Sequence, residues 1–256
     1  MTVFGTYAQY YDLLYASKNY AAEAQYVHKL IQSYLPGAHS VLDLGCGTGA
    51  HAVQLSREGY RIHGVDLSTV MLERAKSRLA KLPSEQASRL DFSQGDICTV
   101  RINDQFDVVI SLFDVISYQT MDEDLRAAFV TAKTHLKPGG VFIFDCWYGP
   151  AVLSNHPVVR VKRVENEEIA LIRIAEPVMY PNENCVDVNY QLLVKQKTSG
   201  KFDELHECHR MRYMFTPEIH NYFSYSEMEM VASFGSMTDR EPGFDTWSVC
   251  FVGRRS

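Results

Sequence analysis

Apolar residues follow two patterns along this chain, and the change between them divides it. Up to about residue 150, short continuous apolar runs alternate with stretches of helical period. Ala24, Val27, Ile31 and Leu35 recur at helical spacing until Pro36-Gly37 stops them, which predicts a helix over residues 20–35. Residues 41–44 read as a first strand, and a helix from about residue 50 to 58 ends at Gly59. Residues 61–66 are the second strand. Ser68 then caps a helix whose Met71, Ala75, Leu79 and Leu82 make one stripe, closed by Pro83. Residues 90–96 make a less regular third strand, and residues 106–113 a continuous apolar fourth of the kind buried in parallel sheets. Residues 122–136 are helical, with acids at the start and Lys133, His135 and Lys137 at the end, as the helix dipole favours. A Lys137-Pro138-Gly139-Gly140 turn leads to a fifth strand over residues 141–147.

Alternation of this kind is the signature of a doubly wound, mostly parallel α/β sheet, which binds ligands beyond the carboxyl ends of its strands. Past residue 156 the texture changes. Val186, Val188, Tyr190, Leu192 and Val194 alternate with polar residues, and turn-like breaks fall at Asn166, at residues 181–184 and at 198–200. This predicts a small antiparallel sheet with one buried face, inserted over residues 158–215 into a domain made of residues 1–157 and 216–256. A short helix follows Thr216-Pro217, and residues 244–252 form a last strand.

Composition narrows the function. The net charge of -6 over 256 residues carries no general basic character, so nucleic acid and anionic membranes are not expected partners. No apolar run approaches a membrane span, and residues 1–15 lack the basic and apolar regions of a secretory signal. The six cysteines form no C-x-x-C pair and read as reduced thiols of a cytoplasmic protein, and no ligand spacing supports a metal.

The candidate chemistry starts at Ser40-Val41-Leu42-Asp43-Leu44-Gly45-Cys46-Gly47-Thr48-Gly49, a strand running into a glycine loop. Gly45, Gly47 and Ala50 fit the looser dinucleotide fingerprint, with Asp66 where a ribose-binding acid belongs. A nicotinamide- or flavin-dependent oxidoreductase is therefore one reading, and a cofactor-binding protein without catalysis another. Asp43, however, puts an anion where a pyrophosphate wants positive charge, and the loop has no lysine or arginine. That suits a cationic, phosphate-free ligand such as S-adenosylmethionine, whose ribose diol Asp66 can grip.

Residues 41–49 resemble motif I of the class I S-adenosylmethionine-dependent methyltransferases, Gly64-Val65-Asp66-Leu67-Ser68 their acidic motif, Gly95-Asp96-Ile97 their adenine turn, and residues 136–140 the turn before their fifth strand. The resemblance covers about residues 40–147 and implies a seven-stranded Rossmann-like fold with an antiparallel strand near its edge. A Tyr-rich N-terminal arm, the Ile116-Ser117-Tyr118 segment and the inserted sheet further resemble N-methyltransferases of nucleotide-linked amino sugars, although Asp114 stands where a small polar residue is expected. The expected reaction moves a methyl group to a small-molecule amine and leaves S-adenosylhomocysteine; O-methylation is the alternative within the class.

On this reading Tyr11, Asp43, Gly45, Gly47, Asp66, Leu67, Asp96, Ile97 and Leu112 contact the cofactor. Tyr118, Trp147 and Tyr148 follow strand ends and are candidate acceptor walls, and His51 opens a helix toward the cofactor. His209 and Tyr118 are the candidate catalytic groups. Arg210 and Arg212 share one strand face with His206, opposite His209, and are candidates for holding an anionic substrate. The inserted sheet could serve as a substrate lid or as a homodimer surface.

Overall fold

The structure is a computed structural model and describes residues 6–256. The part of the Tyr-rich N-terminal region at residues 1–5 lies outside the described residues. A 3-10 turn at Thr6–Tyr10 leads into α1 (Tyr11–Leu14) and then α2 (Tyr20–Tyr34). The next elements are β1 (Ser40–Leu44), α3 (Ala50–Arg57), β2 (Arg61–Asp66), α4 (Thr69–Leu79), the single turn α5 (Ser84–Ala87) and β3 (Leu90–Gln94). They are followed by β4 (Phe106–Ser111), α6 (Asp122–His135) and β5 (Leu136–Tyr148). The capping expected of Ser68 is present, its hydroxyl accepting the Met71 N–H at 3.3 Å.

The main sheet runs β3-β2-β1-β4-β5 in parallel. It continues through β11 (Ser248–Arg255), antiparallel to β5, to β10 (Met228–Gly235) at the edge. The seven-stranded, mostly parallel sheet expected from the resemblance is thus the fold. Successive residues of β1 are buried on both faces because helices cover both. Val41 and Ile62 pack with Val27, Ile31 and Leu55 of α2 and α3 on one side. Leu42, Phe142 and Phe144 pack with Phe129 of α6 and Phe223 of α8 (Thr216–Tyr225) on the other. Strand order reverses between β1 and β4, so the loops after these two strands part and leave a crevice.

After α7 (Gly149–Ser154), strands β6 (Arg160–Glu165), β7 (Ile169–Tyr180), β8 (Cys185–Gln196) and β9 (Phe202–Met214) form an antiparallel sheet. Its β9 joins the end of β5 at Trp147 with Tyr213 and Tyr148 with Met214. Several boundaries differ from expectation: the third strand stops at Gln94, and the fifth starts at Leu136 and so takes in the expected Lys137–Gly140 turn. The fourth strand stops at Ser111, because Phe113 and Asp114 both adopt left-handed backbone conformations (φ 68° and 61°) that end the ladder. The last strand starts at Ser248 instead of residue 244, and Phe244 is exposed in the loop before it. β10, unforeseen, is an edge strand whose residues are mostly half-buried, so its apolar period is blurred. No helix among the described residues is long and apolar enough to cross a membrane.

Candidate active site

A cavity of about 890 Å3 opens at the carboxyl ends of β1, β2 and β4 and is roofed by the N-terminal arm and the inner face of the second sheet. It lies near the upper end of the range for sites that hold one drug-sized ligand, roughly 300–1,000 Å3. The glycine loop forms its floor. Gly45 has φ +84°, and a Cβ there would collide with the Val115 side chain. Gly47 has φ +54° with open space on its Cβ side, so its backbone faces the cavity bare.

Asp66 ties the loop to the next turn. Its Oδ2 accepts the Gly47 N–H and its Oδ1 the Ser68 N–H, each at 2.8 Å. Burial pushes this carboxyl above its ordinary value, and the two N–H groups pull it partly back. Asp43 does not line the cavity; it sits beneath the loop within β1, 2% exposed. Burial, with the nearby Asp66 adding to it, pushes Asp43 up to about 7. Asp96 accepts the Cys98 N–H at 2.8 Å and lines the cavity with Leu67, Ile97 and Leu112.

The arm is clamped over this floor. Thr48 Oγ1 donates to Asp12 at 2.9 Å, and Arg78 reaches the same carboxylate at 3.0 Å. Tyr11 lines the cavity, as do Tyr7, Tyr15 and Tyr20, which the sequence did not single out individually. His51 also lines it, with Nε2 2.8 Å from Glu23, whose other oxygen pairs with Lys18. Burial lowers the affinity of His51 for a proton, and Glu23 partly restores it.

At the far wall, Tyr118 Oη lies 2.8 Å from His209 Nδ1, and His209 Nε2 lies 3.0 Å from Glu207 Oε2. The carboxylate can only accept, so Nε2 carries the hydrogen and Nδ1 accepts from the phenol. Tyr190 meets the imidazole edge-on with ring centroids 4.8 Å apart, and Tyr7 does so at 5.3 Å. Burial, with Tyr190 and Tyr15 adding to it, holds the Tyr118 phenol well above its usual range. Glu207 was missed in the sequence because only the strand's two-residue period, read together with the buried face, brings it beside His209.

Trp147 lines the cavity, but Tyr148 does not; its hydroxyl lies 3.3 Å from Thr216 Oγ1. Arg210 and Arg212 also lie outside, which corrects the expectation that they hold an anionic substrate. Arg210 pairs with Asp187 and Glu183, and Arg212 with Asp122 and Glu218, on the sheet face turned away from the cavity. Asp114, at the cavity wall, is pushed up to about 6 by burial, against hydrogen bonds from Ser248 and Trp147; its own N–H donates to Asp145 at 2.8 Å.

The half of the cavity around the glycine loop tests which cofactor fits. Its wall comes from residues 45–48, 66–71, 94–97 and 112–115, and none of these is lysine or arginine, while Asp66 and Asp96 face in and Asp43 lies below. A dinucleotide's pyrophosphate would find no cationic side chain there and would face the Asp66 and Asp96 carboxylates. A nucleoside with a cationic tail fits: an acidic acceptor for hydroxyls at Asp66, apolar Leu67, Ile97 and Leu112 for a base, and bare backbone at Gly47.

A family profile described as a methyltransferase domain matches residues 41–140. The chain is 32% identical over 203 residues to the dTDP-3-amino-3,4,6-trideoxy-alpha-D-glucopyranose N,N-dimethyltransferase of Streptomyces venezuelae, covering 78% of this chain and 81% of that protein. The crystal structure of Streptomyces venezuelae DesVI matches with a TM-score of 0.81 at 26% identity over 98% of each chain. CalS10, an amino pentose methyltransferase from Micromonospora echinaspora solved with S-adenosylmethionine bound, shares the fold at a TM-score of 0.76 and 24% identity, covering 100% of this chain and 99% of that one. With a relative of that identity matched over most of its length, and a glycine loop that suits a cationic nucleoside, this chain belongs to the class I S-adenosylmethionine-dependent methyltransferases, and S-adenosylmethionine is its cofactor.

Proposed function

We propose that the enzyme methylates the amino group of a nucleotide-linked amino sugar. The observation that carries this reading is the Glu207–His209–Tyr118 chain opening into the same cavity as the glycine loop. An amine arrives at neutral pH as an ammonium and has no lone pair to offer until it loses a proton. Tyr118 Oη can take that proton while passing its own to His209 Nδ1, and Glu207 steadies the imidazolium that results. The aromatic wall of Tyr7, Tyr15 and Tyr190 keeps water out and lets a sugar ring lie against flat faces. The relative from Streptomyces venezuelae, named for an amino sugar carried on dTDP, supports the same acceptor class.

When bound, S-adenosylmethionine supplies an electrophilic methyl group on a sulfonium. Asp66 would hold its ribose hydroxyls, Asp96 and the Leu67, Ile97 and Leu112 side chains its adenine, and Gly45 and Gly47 would offer backbone to its amino-acid end. Tyr11 would wall it from the arm, and Asp43 would face its charge from beneath the loop. Trp147 stands on the acceptor side. The chain's main contribution is alignment, which supplies roughly 7–11 kcal/mol of a barrier where geometry is favourable. Incubating the enzyme with S-adenosylmethionine and a dTDP-linked 3-amino sugar is expected to yield S-adenosylhomocysteine and the N-methylated sugar by mass spectrometry. Turnover of hydroxyl acceptors alone would overturn the amine reading.

Asp43 makes cofactor affinity depend on pH. Its carboxyl, with an ordinary value of 3.8, is held at about 7 in the folded protein without cofactor. The stability this raised value contributes is full below 3.8 and is lost as pH rises through about 7. A cationic amine above the loop favours the ionised form. Affinity for S-adenosylhomocysteine is therefore expected to rise between pH 6 and 8, and Asp43→Asn to flatten that rise in calorimetric titrations.

A further inference from the structure

The inner face of the second sheet carries three cations that the methyl-transfer reading does not use. Lys162 on β6 lies directly across from Arg173 on β7, and Arg160 stands two residues earlier on the same face, across from Ala175. Like charges in directly opposed positions of an antiparallel pair repel each other. No carboxylate among the described residues forms an ion pair with any of the three. On the outer face Arg210 and Arg212 each hold two acids, and Lys197 and Lys201 at the turn between β8 and β9 hold one each, while Arg163 and Lys195 form no ion pair among the described residues.

Arg173 is committed to phenols. Its guanidinium donates to Tyr7 Oη at 3.1 Å and Tyr15 Oη at 3.3 Å and lies 5.1 Å from the centre of the Tyr190 ring. Its Nε is buried with no hydrogen-bond partner. Lys162 lies 5.5 Å from the centre of the Tyr15 ring, where burial and Arg173 both make it a more reluctant cation. Arg160 is exposed and lines the cavity, and its side chain makes no hydrogen bond or ion pair among the described residues. A sheet that keeps such a group against its own repulsion is built for an anion that arrives from outside.

The register sets Arg160 across the inner face from the Glu207–His209 pair. Arg160, Ala175, Tyr190 and Glu207 form one cross-strand row from β6 to β9. Neighbouring strands lie about 4.8 Å apart, so the ends of that row are about 14 Å apart, and an extended arginine side chain spans about half of it. That leaves roughly half the row, on the scale of one sugar ring, between the Arg160 head group and Glu207.

We propose that Arg160, Lys162 and Arg173 form the site for the diphosphate of the acceptor, a proposal that rests on the nucleotide-linked acceptor argued above. It puts the anion site on the inner face of the first two strands of the sheet, away from Arg210 and Arg212. The test is calorimetric titration of thymidine diphosphate into enzyme saturated with S-adenosylhomocysteine. R160Q and K162Q are each expected to bind about tenfold or more weakly, since each removes a charge-assisted contact, and their affinity is expected to fall less steeply with salt. R163Q, with the same charge change on the opposite face of β6, is expected to bind like the wild type. Equal affinity of wild type, R160Q and K162Q, or no binding to the wild type, overturns the site. If R160Q methylates a nucleotide-linked amino sugar with unchanged KM, the anion site fails and the acceptor reading stands. If no nucleotide-linked amino sugar is turned over but thymidine diphosphate binding still falls in R160Q and K162Q, the site stands and the acceptor reading fails.

Discussion

Replacing Asp66 with alanine is expected to weaken S-adenosylhomocysteine binding by about a hundredfold or more. The carboxylate has two duties. In the protein alone it accepts the Gly47 and Ser68 N–H groups and so holds the glycine loop against the end of β2. With ligand bound, a ribose diol would share the same oxygens. A hydrogen bond to a charged group contributes about 1.5–3 kcal/mol, so losing two costs about 3–6 kcal/mol, which corresponds to two to four powers of ten in affinity. Asp66→Asn separates the two duties: an amide retains one acceptor for the loop but loses the charge, so its affinity should fall between wild type and alanine. Titration calorimetry measures both, and unchanged affinity in Asp66→Ala would remove Asp66 from the cofactor site. The substitution has a second readout. The Asp66 charge helps raise Asp43, so its removal should lower the pH at which affinity rises.

Asp66 is legible in the sequence because its signal is local. A strand of apolar residues, a glycine loop and an acid after the next strand lie within about 25 residues, and their spacing is set by one βαβ unit. The same holds for α6, whose Leu125, Ala128, Phe129 and Ala132 mark their buried stripe in the sequence and are buried in the fold. What lay out of reach depends on contacts between distant segments. The two-residue period of β9 correctly puts His209 opposite Arg210 and Arg212, but a period does not say which face looks into a cavity. That choice is made by β5, which pairs with β9 at Tyr213 and Met214 and turns the His209 face toward the crevice. β6 falls within the expected inserted sheet, but its role was not readable: its Arg160-Val161-Lys162-Arg163 run looks like a solvated edge until Tyr7 and Tyr15, well over a hundred residues away in the chain, are seen against its neighbour Arg173. Asp114 departed from the expected small residue, and the fold gives the departure a place. Together with Phe113 it adopts a left-handed backbone at the cavity wall, and it shares burial with Asp145, which is pushed well above its usual range. Paired strain and paired buried acids at a strand end are characteristic of sites where ligand contact outweighs local preference.

His209→Gln is expected to lower kcat about 100-fold at neutral pH while changing KM for the acceptor much less. A positioned base typically contributes two to four powers of ten, and glutamine fills the same volume while keeping a polar group against Tyr118 and Glu207. The substitution should leave the fold intact, because His209 packs among Tyr7, Tyr118 and Tyr190 through ring faces and edges that an amide can still touch. The pH dependence separates a base from a packing residue. If His209 takes the proton that Tyr118 relays, the defect should shrink as pH rises, because a growing share of the amine then arrives already deprotonated. Tyr118→Phe should show the same trend with a smaller loss, since His209 also lines the cavity and can meet the amine directly. Glu207→Gln should lower kcat by weakening support for the imidazolium; Glu207 Oε1 also accepts the Tyr7 N–H at 3.1 Å, a contact to the arm that a glutamine side-chain oxygen can keep. A His209→Gln defect that stays constant from pH 7 to 9 would assign the loss to altered packing and leave alignment as the enzyme's whole contribution to the chemical step.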